Sequence, residues 1–297
     1  MKKFIGIAFA TLLGLFILFS LFDWRGNYRA EQIIWRANKK LSKVINTPET
    51  TPDKTFEDIA NDFRKAIKDF PHYPQRARVQ IQMGGVYMAK KDFAKARQVF
   101  EQVFKDYPTN DVFKSEALVA IGKTYEQEGS WLKAETAYRK VISDYPLTEN
   151  GLAMPLYFGN VYKQRGAREK ANNAYKDAAM YYGKMAEQNQ GKPIEFRAMQ
   201  LLADSYLALE DWNKGVEALG NLLLTFPGSP AIGQTVQAIN IVAVIQLKDY
   251  DKAQAIYESF MKKYPRHPLD KILKKVIAGL KTLKEKNVVI NPKATPK

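Results

Sequence analysis

Apolar positions recur at three- and four-residue spacing along most of the chain, the period of a helix with one buried face and not of a half-buried strand. From residue 75 to residue 286 short polar turns interrupt the period, most of them carrying glycine, aspartate or proline. Two earlier segments, 28–45 and 56–70, read as helices, and the polar link 46–54 with its two prolines reads as a loop. Near the carboxyl end Leu269, Ile272, Leu273, Val276, Leu280 and Leu283 describe one more amphipathic helix with lysines outside. The expectation is an all-α fold.

The pattern is different at the start. Phe4 to Phe22 holds no charged residue, and nineteen helical positions would span roughly 29 Å, about the hydrocarbon thickness of a bilayer. Lys2 and Lys3 precede the run; Asp23, Trp24 and Arg25 follow it, with the tryptophan suited to a headgroup interface. A cleaved signal peptide would have a shorter apolar core and a small-x-small cleavage site. This run instead ends Leu18-Phe19-Ser20-Leu21-Phe22, so residues 1–27 are read as an uncleaved single-pass anchor. The flanking lysines place the amino end in the cytoplasm. Residues 4–22 would then sit in the inner membrane, with the bulk of the chain facing the periplasm.

A short motif repeats through the body. It reads Asp92-Phe93-Ala94-Lys95-Ala96, then Ser130-Trp131-Leu132-Lys133-Ala134, Asp211-Trp212-Asn213-Lys214-Gly215 and Asp249-Tyr250-Asp251-Lys252-Ala253, with a weaker copy at Ala167 to Ala171. Its lysines, at 95, 133, 170, 214 and 252, step by 38, 37, 44 and 38. The leading Asp or Ser suits a helix N-cap, and the closing small residue lets two helices approach. Twelve residues before that small residue lies another, at Gly84, Gly122, Gly159 and Ala203, each followed three positions later by Tyr87, Tyr125, Tyr162 or Tyr206. Four residues after it comes Phe100, Tyr138, Tyr175, Leu219 or Tyr257. An aromatic-proline pair closes most units, at Tyr107-Pro108, Tyr145-Pro146, Phe226-Pro227 and Tyr264-Pro265, because proline cannot continue a helix ladder.

This order of small residues, rings and proline resembles the tetratricopeptide repeat. The resemblance implies a right-handed α-α superhelix, a solenoid of about five units over 75–268. A degenerate first hairpin at 28–74 would precede the array, a capping helix at 269–286 would follow it, and 287–297 would be a disordered tail. The long steps and tyrosine-proline ends resemble the periplasmic arrays of the outer-membrane assembly factor D and the Tol–Pal coordinator, which implies scaffolding in the cell envelope. Here the lipid-bearing cysteine of the former is missing, since the chain has no cysteine at all. Two units depart from the pattern. The second helix of the third runs on through Tyr181-Tyr182 to about Gln188, and in the last, Ile241 and Val244 stand where glycine and tyrosine are expected.

Composition narrows the chemistry. Without cysteine there is no disulfide framework, thiolate nucleophile, Cys-ligated zinc or iron–sulfur cluster. His72 and His267 are the two histidines, far apart in sequence. No phosphate loop, nucleophile elbow or H-E-x-x-H motif is present. The reading is therefore a binding protein, not an enzyme, with no cofactor and no metal. Stacked hairpins leave a wall formed by the first helix of each unit, suited to an extended peptide or a partner helix. By repeat position, the candidates for contact with a protein partner are Arg78, Ile81, Met88, Val119, Lys123, Glu126, Leu156, Asn160, Lys163, Arg197, Gln200 and Asp204. The lysine–asparagine clamp that some arrays use for a terminal carboxylate is out of register, although Asn160 and Lys163 could form a looser one. The net charge of +15 keeps open an alternative, an anionic polymer such as cell-wall glycan or nucleic acid held on basic helix faces. Nucleic acid is disfavoured because no basic run interleaves with exposed aromatics and because the body is expected outside the cytoplasm. No feature of the sequence fixes an oligomeric state.

Overall fold

A computed structural model describes residues 27–290, with side chains through residue 286. The expected anchor at 4–22 and the last seven residues lie outside that range. Among the described residues no helix is long and apolar enough to cross a membrane. Those residues form thirteen helices and no strand. The described part of α1 covers 27–44. It is followed by α2 (Asp53–Asp69), α3 (Arg76–Ala89), α4 (Phe93–Asp106), α5 (Asp111–Gln127), α6 (Trp131–Asp144) and α7 (Glu149–Gln164). Next come α8 (Arg168–Gln188), α9 (Pro193–Ala208), α10 (Trp212–Thr225), α11 (Ile232–Asn240), α12 (Tyr250–Lys263) and α13 (Asp270–Ile290). The last helix extends four residues past the boundary expected at 286. The chain falls into two compact units, divided between Met154 and Pro155 within α7.

Unit 1 is built on a core of Ala30, Ile34 and Ala37 from α1, Phe56, Ile59 and Phe63 from α2, and Val86, Phe100, Val103, Ala117 and Ile121 from the helices that follow. Unit 2 has its own core, in which Leu219, Ile239, Tyr257, Phe260, Leu273 and Leu280 are buried. The hairpins in both units are closed by one recurring contact. A Cβ placed on Gly84 would lie 2.2 Å from the Phe100 ring, one on Gly122 2.3 Å from the Tyr138 ring, and one on Gly159 2.2 Å from the Tyr175 ring. Each ring lies against bare backbone, so the glycine is required by space rather than by its φ angle. This is the physical content of the small-residue and ring positions in the repeat.

The turn inside each hairpin is also built alike. The residue before the N-cap takes a left-handed conformation: Lys91 (φ 65°), Gly129 (77°), Gly166 (72°), Glu210 (59°) and Lys248 (54°). The next backbone N–H then reaches back to the first helix, from Asp92 to Tyr87 O (2.8 Å), Ser130 to Tyr125 O (2.8 Å), Ala167 to Tyr162 O (2.9 Å) and Asp211 to Tyr206 O (3.0 Å). These are the long bonds of a Schellman turn, which satisfy carbonyls left free at the helix end. Asp92, Asp211 and Asp249 accept from the N–H of Lys95, Lys214 and Lys252 as N-caps. Ser130, expected to do the same, makes no side-chain cap bond.

The last hairpin shows what happens without the glycine. Ile241 occupies its place, and a branched side chain there could not sit under the Tyr257 ring. The backbone instead opens into a π turn, Ile241–Gln246, in which the Leu247 N–H bonds to Val242 O. Ile241 is pushed outward to 52% exposure, and Val242 and Ala243 become the buried residues. The wider turn absorbs one residue, so Asp249 N bonds to Ala243 O, six positions back instead of five.

Candidate functional site

In unit 1 the first helices of the two hairpins, α3 and α5, carry the candidates Arg78, Ile81, Met88, Val119, Lys123 and Glu126. Arg78 and Lys123 are exposed, and Ile81, Met88 and Glu126 are half-buried. Arg78 reaches Glu116 on α5 at 3.7 Å, tying the two helices together. Glu126 accepts from the Tyr138 hydroxyl at 2.9 Å and so supports the ring beneath it. Val119 is only 8% exposed and belongs to the core, which corrects its assignment to the wall; its side chain is turned inward by the helix period that buries Ser115 and Gly122. Met88 lines a groove of about 610 Å³ with Ile45, Gly85, Ala89, Lys91, Phe93 and Gln127.

In unit 2, α7 carries Leu156, Asn160 and Lys163, and α9 carries Arg197, Gln200 and Asp204. Asn160 and Lys163 are exposed. Asn160 accepts from the Tyr175 hydroxyl at 2.8 Å, the counterpart of Glu126 in unit 1. Lys163 lies in a groove of about 430 Å³ that also holds Arg168, Asn172 and Glu210. On α9, Arg197 donates to Gln200 at 2.8 Å, and both are half-buried. Burial pushes the Asp204 carboxyl up from its ordinary range, and the Arg197 charge partly offsets this. Arg197, Gln200 and Asp204 thus form a supported polar layer. The Leu156 N–H donates to the Tyr182 hydroxyl at 3.2 Å. That donor follows Pro155, which interrupts the ladder of α7. The groove residues Arg168, Asn172, Lys91 and Phe93 were not among the sequence candidates, because they sit at hairpin turns and not on the first helix.

Some of the positive charge is engaged in contacts within the fold. The motif lysines Lys95, Lys133 and Lys214 place their ammonium groups 5.5, 5.7 and 5.5 Å from the ring centroids of Tyr87, Tyr125 and Tyr206. This cation–π contact joins the second helix of a hairpin to the first and accounts for both the lysine and the tyrosine of the repeat. Among the described residues no group of three or more His, Asp or Glu side chains could hold a metal ion.

Four segments, 78–110, 116–148, 197–229 and 245–267, match the tetratricopeptide repeat model. These segments are similar to tetratricopeptide repeats, and together they cover less than half of the chain. The matched segments fall on α3–α4, α5–α6, α9–α10 and the end of the π turn with α12. The hairpin α7–α8 lies outside them; it keeps the Gly159–Tyr175 contact but carries Pro155 and a second helix of 21 residues. Such repeats serve as protein-interaction scaffolds, typically without catalysis. Among solved structures, a thermophilic TPR protein of Thermus thermophilus is 18% identical over 69% of this chain and 98% of its own, with a TM-score of 0.38. Pseudomonas aeruginosa pilF is 14% identical over 73% and 93%, with a TM-score of 0.35. The TPR2AB domain of yeast Sti1, solved as a complex with pHSP90, is 12% identical over 86% and 99%, with a TM-score of 0.33. At these identities and scores the likenesses carry no functional weight. A search of curated proteins returned no match.

Proposed function

We propose that this chain is a membrane-anchored tetratricopeptide scaffold, held by residues 4–22 in the inner membrane, that binds an extended or helical protein segment during cell-envelope assembly or secretion. The observation that carries the binding role is the state of Lys123 and Lys163. Each is exposed on the first helix of a hairpin, and neither is in an ion pair or ring contact among the described residues, unlike Lys95, Lys133 and Lys214. Lys163 stands in a groove deep enough for a side chain, with Arg168 and Asn172 beside it. Such surfaces suit a partner segment that brings carboxylates. Lys2 and Lys3 favour a body outside the cytoplasm, Arg25 and Arg29 beyond the run pull against it, and the binding role holds on either side of the membrane.

The test is co-purification with the full chain solubilised from cells. Lys123→Glu with Lys163→Glu is expected to cut the yield of bound protein about tenfold, a loss of roughly 1.4 kcal/mol, with the circular dichroism unchanged because both sites are exposed. The same proteins recovered at the same yield would reject these residues as the contact.

A further inference from the structure

The outer side of α1 is a surface that the tetratricopeptide reading leaves without a role. Its inner stripe, Ala30, Ile34 and Ala37, is buried in the unit 1 core. At 3.6 residues per turn the opposite stripe is Tyr28, Gln32, Trp35, Lys39 and Lys43. Tyr28 and Trp35 lie two turns apart and are 54% and 61% exposed. The Lys39 ammonium stands 4.8 Å from the Trp35 ring centroid. Arg29 and Arg36 are exposed on one flank of the stripe, and Glu31 is the lone acid between 27 and 44. Lys40 pairs with Asp62 at 2.5 Å, but among the described residues no carboxylate pairs with Arg29, Arg36, Lys39 or Lys43.

Two exposed rings set among cations that no carboxylate pairs with match the boundary of an anionic bilayer, where rings settle at headgroup depth and cations meet phosphate. An acidic protein could answer the charge alone. The rings, and the uncharged run of bilayer length that ends a few residues upstream, favour lipid. We propose that the outer face of α1 docks on anionic phospholipid headgroups and lays unit 1 against the membrane. The proposal rests on the anchor at residues 4–22. Two rings and four cations hold weakly alone, but a tether of a few residues makes the local lipid concentration high enough to populate the docked state.

Because the chain has no cysteine, Gln32→Cys gives a single attachment point for a nitroxide on this face. The full chain is reconstituted in phosphatidylcholine vesicles with or without roughly one-third phosphatidylglycerol. With the anionic lipid, the spin label should become accessible to oxygen and shielded from a water-soluble nickel reagent; in phosphatidylcholine alone it should remain in water. Replacing Arg36→Gln and Lys43→Gln should lower the docked-to-undocked ratio roughly fivefold per residue. A label at Glu101→Cys on α4 should stay in water in both vesicles. Retention of the chain through a high-salt wash reads the anchor separately. A chain released by salt whose label had docked on the anionic vesicles retires the anchor and keeps the α1 contact. A retained chain whose label stays in water on both lipids overturns the proposal and leaves the face to an acidic macromolecule. Equal lipid contact in both vesicles overturns it as well, because charge would then not be the cause.

Discussion

Tyr138→Ala is expected to lower the unfolding free energy of unit 1 by about 3–5 kcal/mol, the range for removing a fully buried aromatic side chain. The Tyr138 ring is wholly buried, and it lies on Gly122, where even one added carbon would come within 2.3 Å. Gly122 itself has no side chain to fill the void, so the cavity cost adds to the lost transfer energy. The hydroxyl donates to Glu126 at 2.9 Å. Tyr138→Phe keeps the ring and loses the hydroxyl with its bond to Glu126, so it should cost about 1 kcal/mol. Urea unfolding followed by circular dichroism separates the two. An alanine variant that loses less than the phenylalanine variant would show that the ring is not the lock of the hairpin.

Gly159→Leu tests the other half of the same contact, in unit 2. The first added atom would lie 2.2 Å from the Tyr175 ring, and leucine brings three more carbons behind it. Overpacking usually costs about 1–3 kcal/mol, and a site where the Cβ itself overlaps belongs at the top of that range. Gly183→Ala on α8 is the matched control, since a Cβ there meets nothing within 4 Å. It should be neutral or should gain about 1 kcal/mol from helix propensity. Combining Gly159→Ala with Tyr175→Leu should recover part of the loss, because a smaller, flexible side chain can move aside. Equal effects at 159 and 183 would mean that the glycines are there for the backbone and not for the ring.

The hairpins were legible because their signals are local. Glycine, ring, cap and proline sit at fixed offsets, and each governs a contact within some 20 residues. The run-on of α8 to Gln188 was visible in the absence of an early aromatic-proline stop and in Gly191-Lys192-Pro193, where Gly191 takes φ 75° and Pro193 opens α9. The π turn was visible only as a mismatch at Ile241 and Val244. Choosing it requires knowing that the Tyr257 ring must be seated and that the added residue can be taken up before Asp249. Of the five left-handed turn positions, Gly129 and Gly166 announce themselves, whereas Lys91, Glu210 and Lys248 do not, because there the turn's hydrogen bonds offset the strain of a side chain in that region.

The binding surface was less readable. Repeat numbering identifies the helix that faces the wall, but it does not say whether a neighbouring side chain covers a given position. Val119 is therefore core, and Arg197 and Gln200 bond to each other, while Lys123 and Lys163 remain open. The motif itself encodes packing, down to the lysine over the tyrosine in three of its copies, and carries no information about the partner.

Photo-crosslinking from the wall in growing cells tests the scaffold account most directly. A benzophenone amino acid is placed at Lys123 or Lys163, with Glu101 on α4 as the reference position. The account predicts discrete protein adducts from 123 and 163 that are absent from 101. Adducts to nucleic acid or glycan alone, or a protein pattern identical at all three positions, would contradict it.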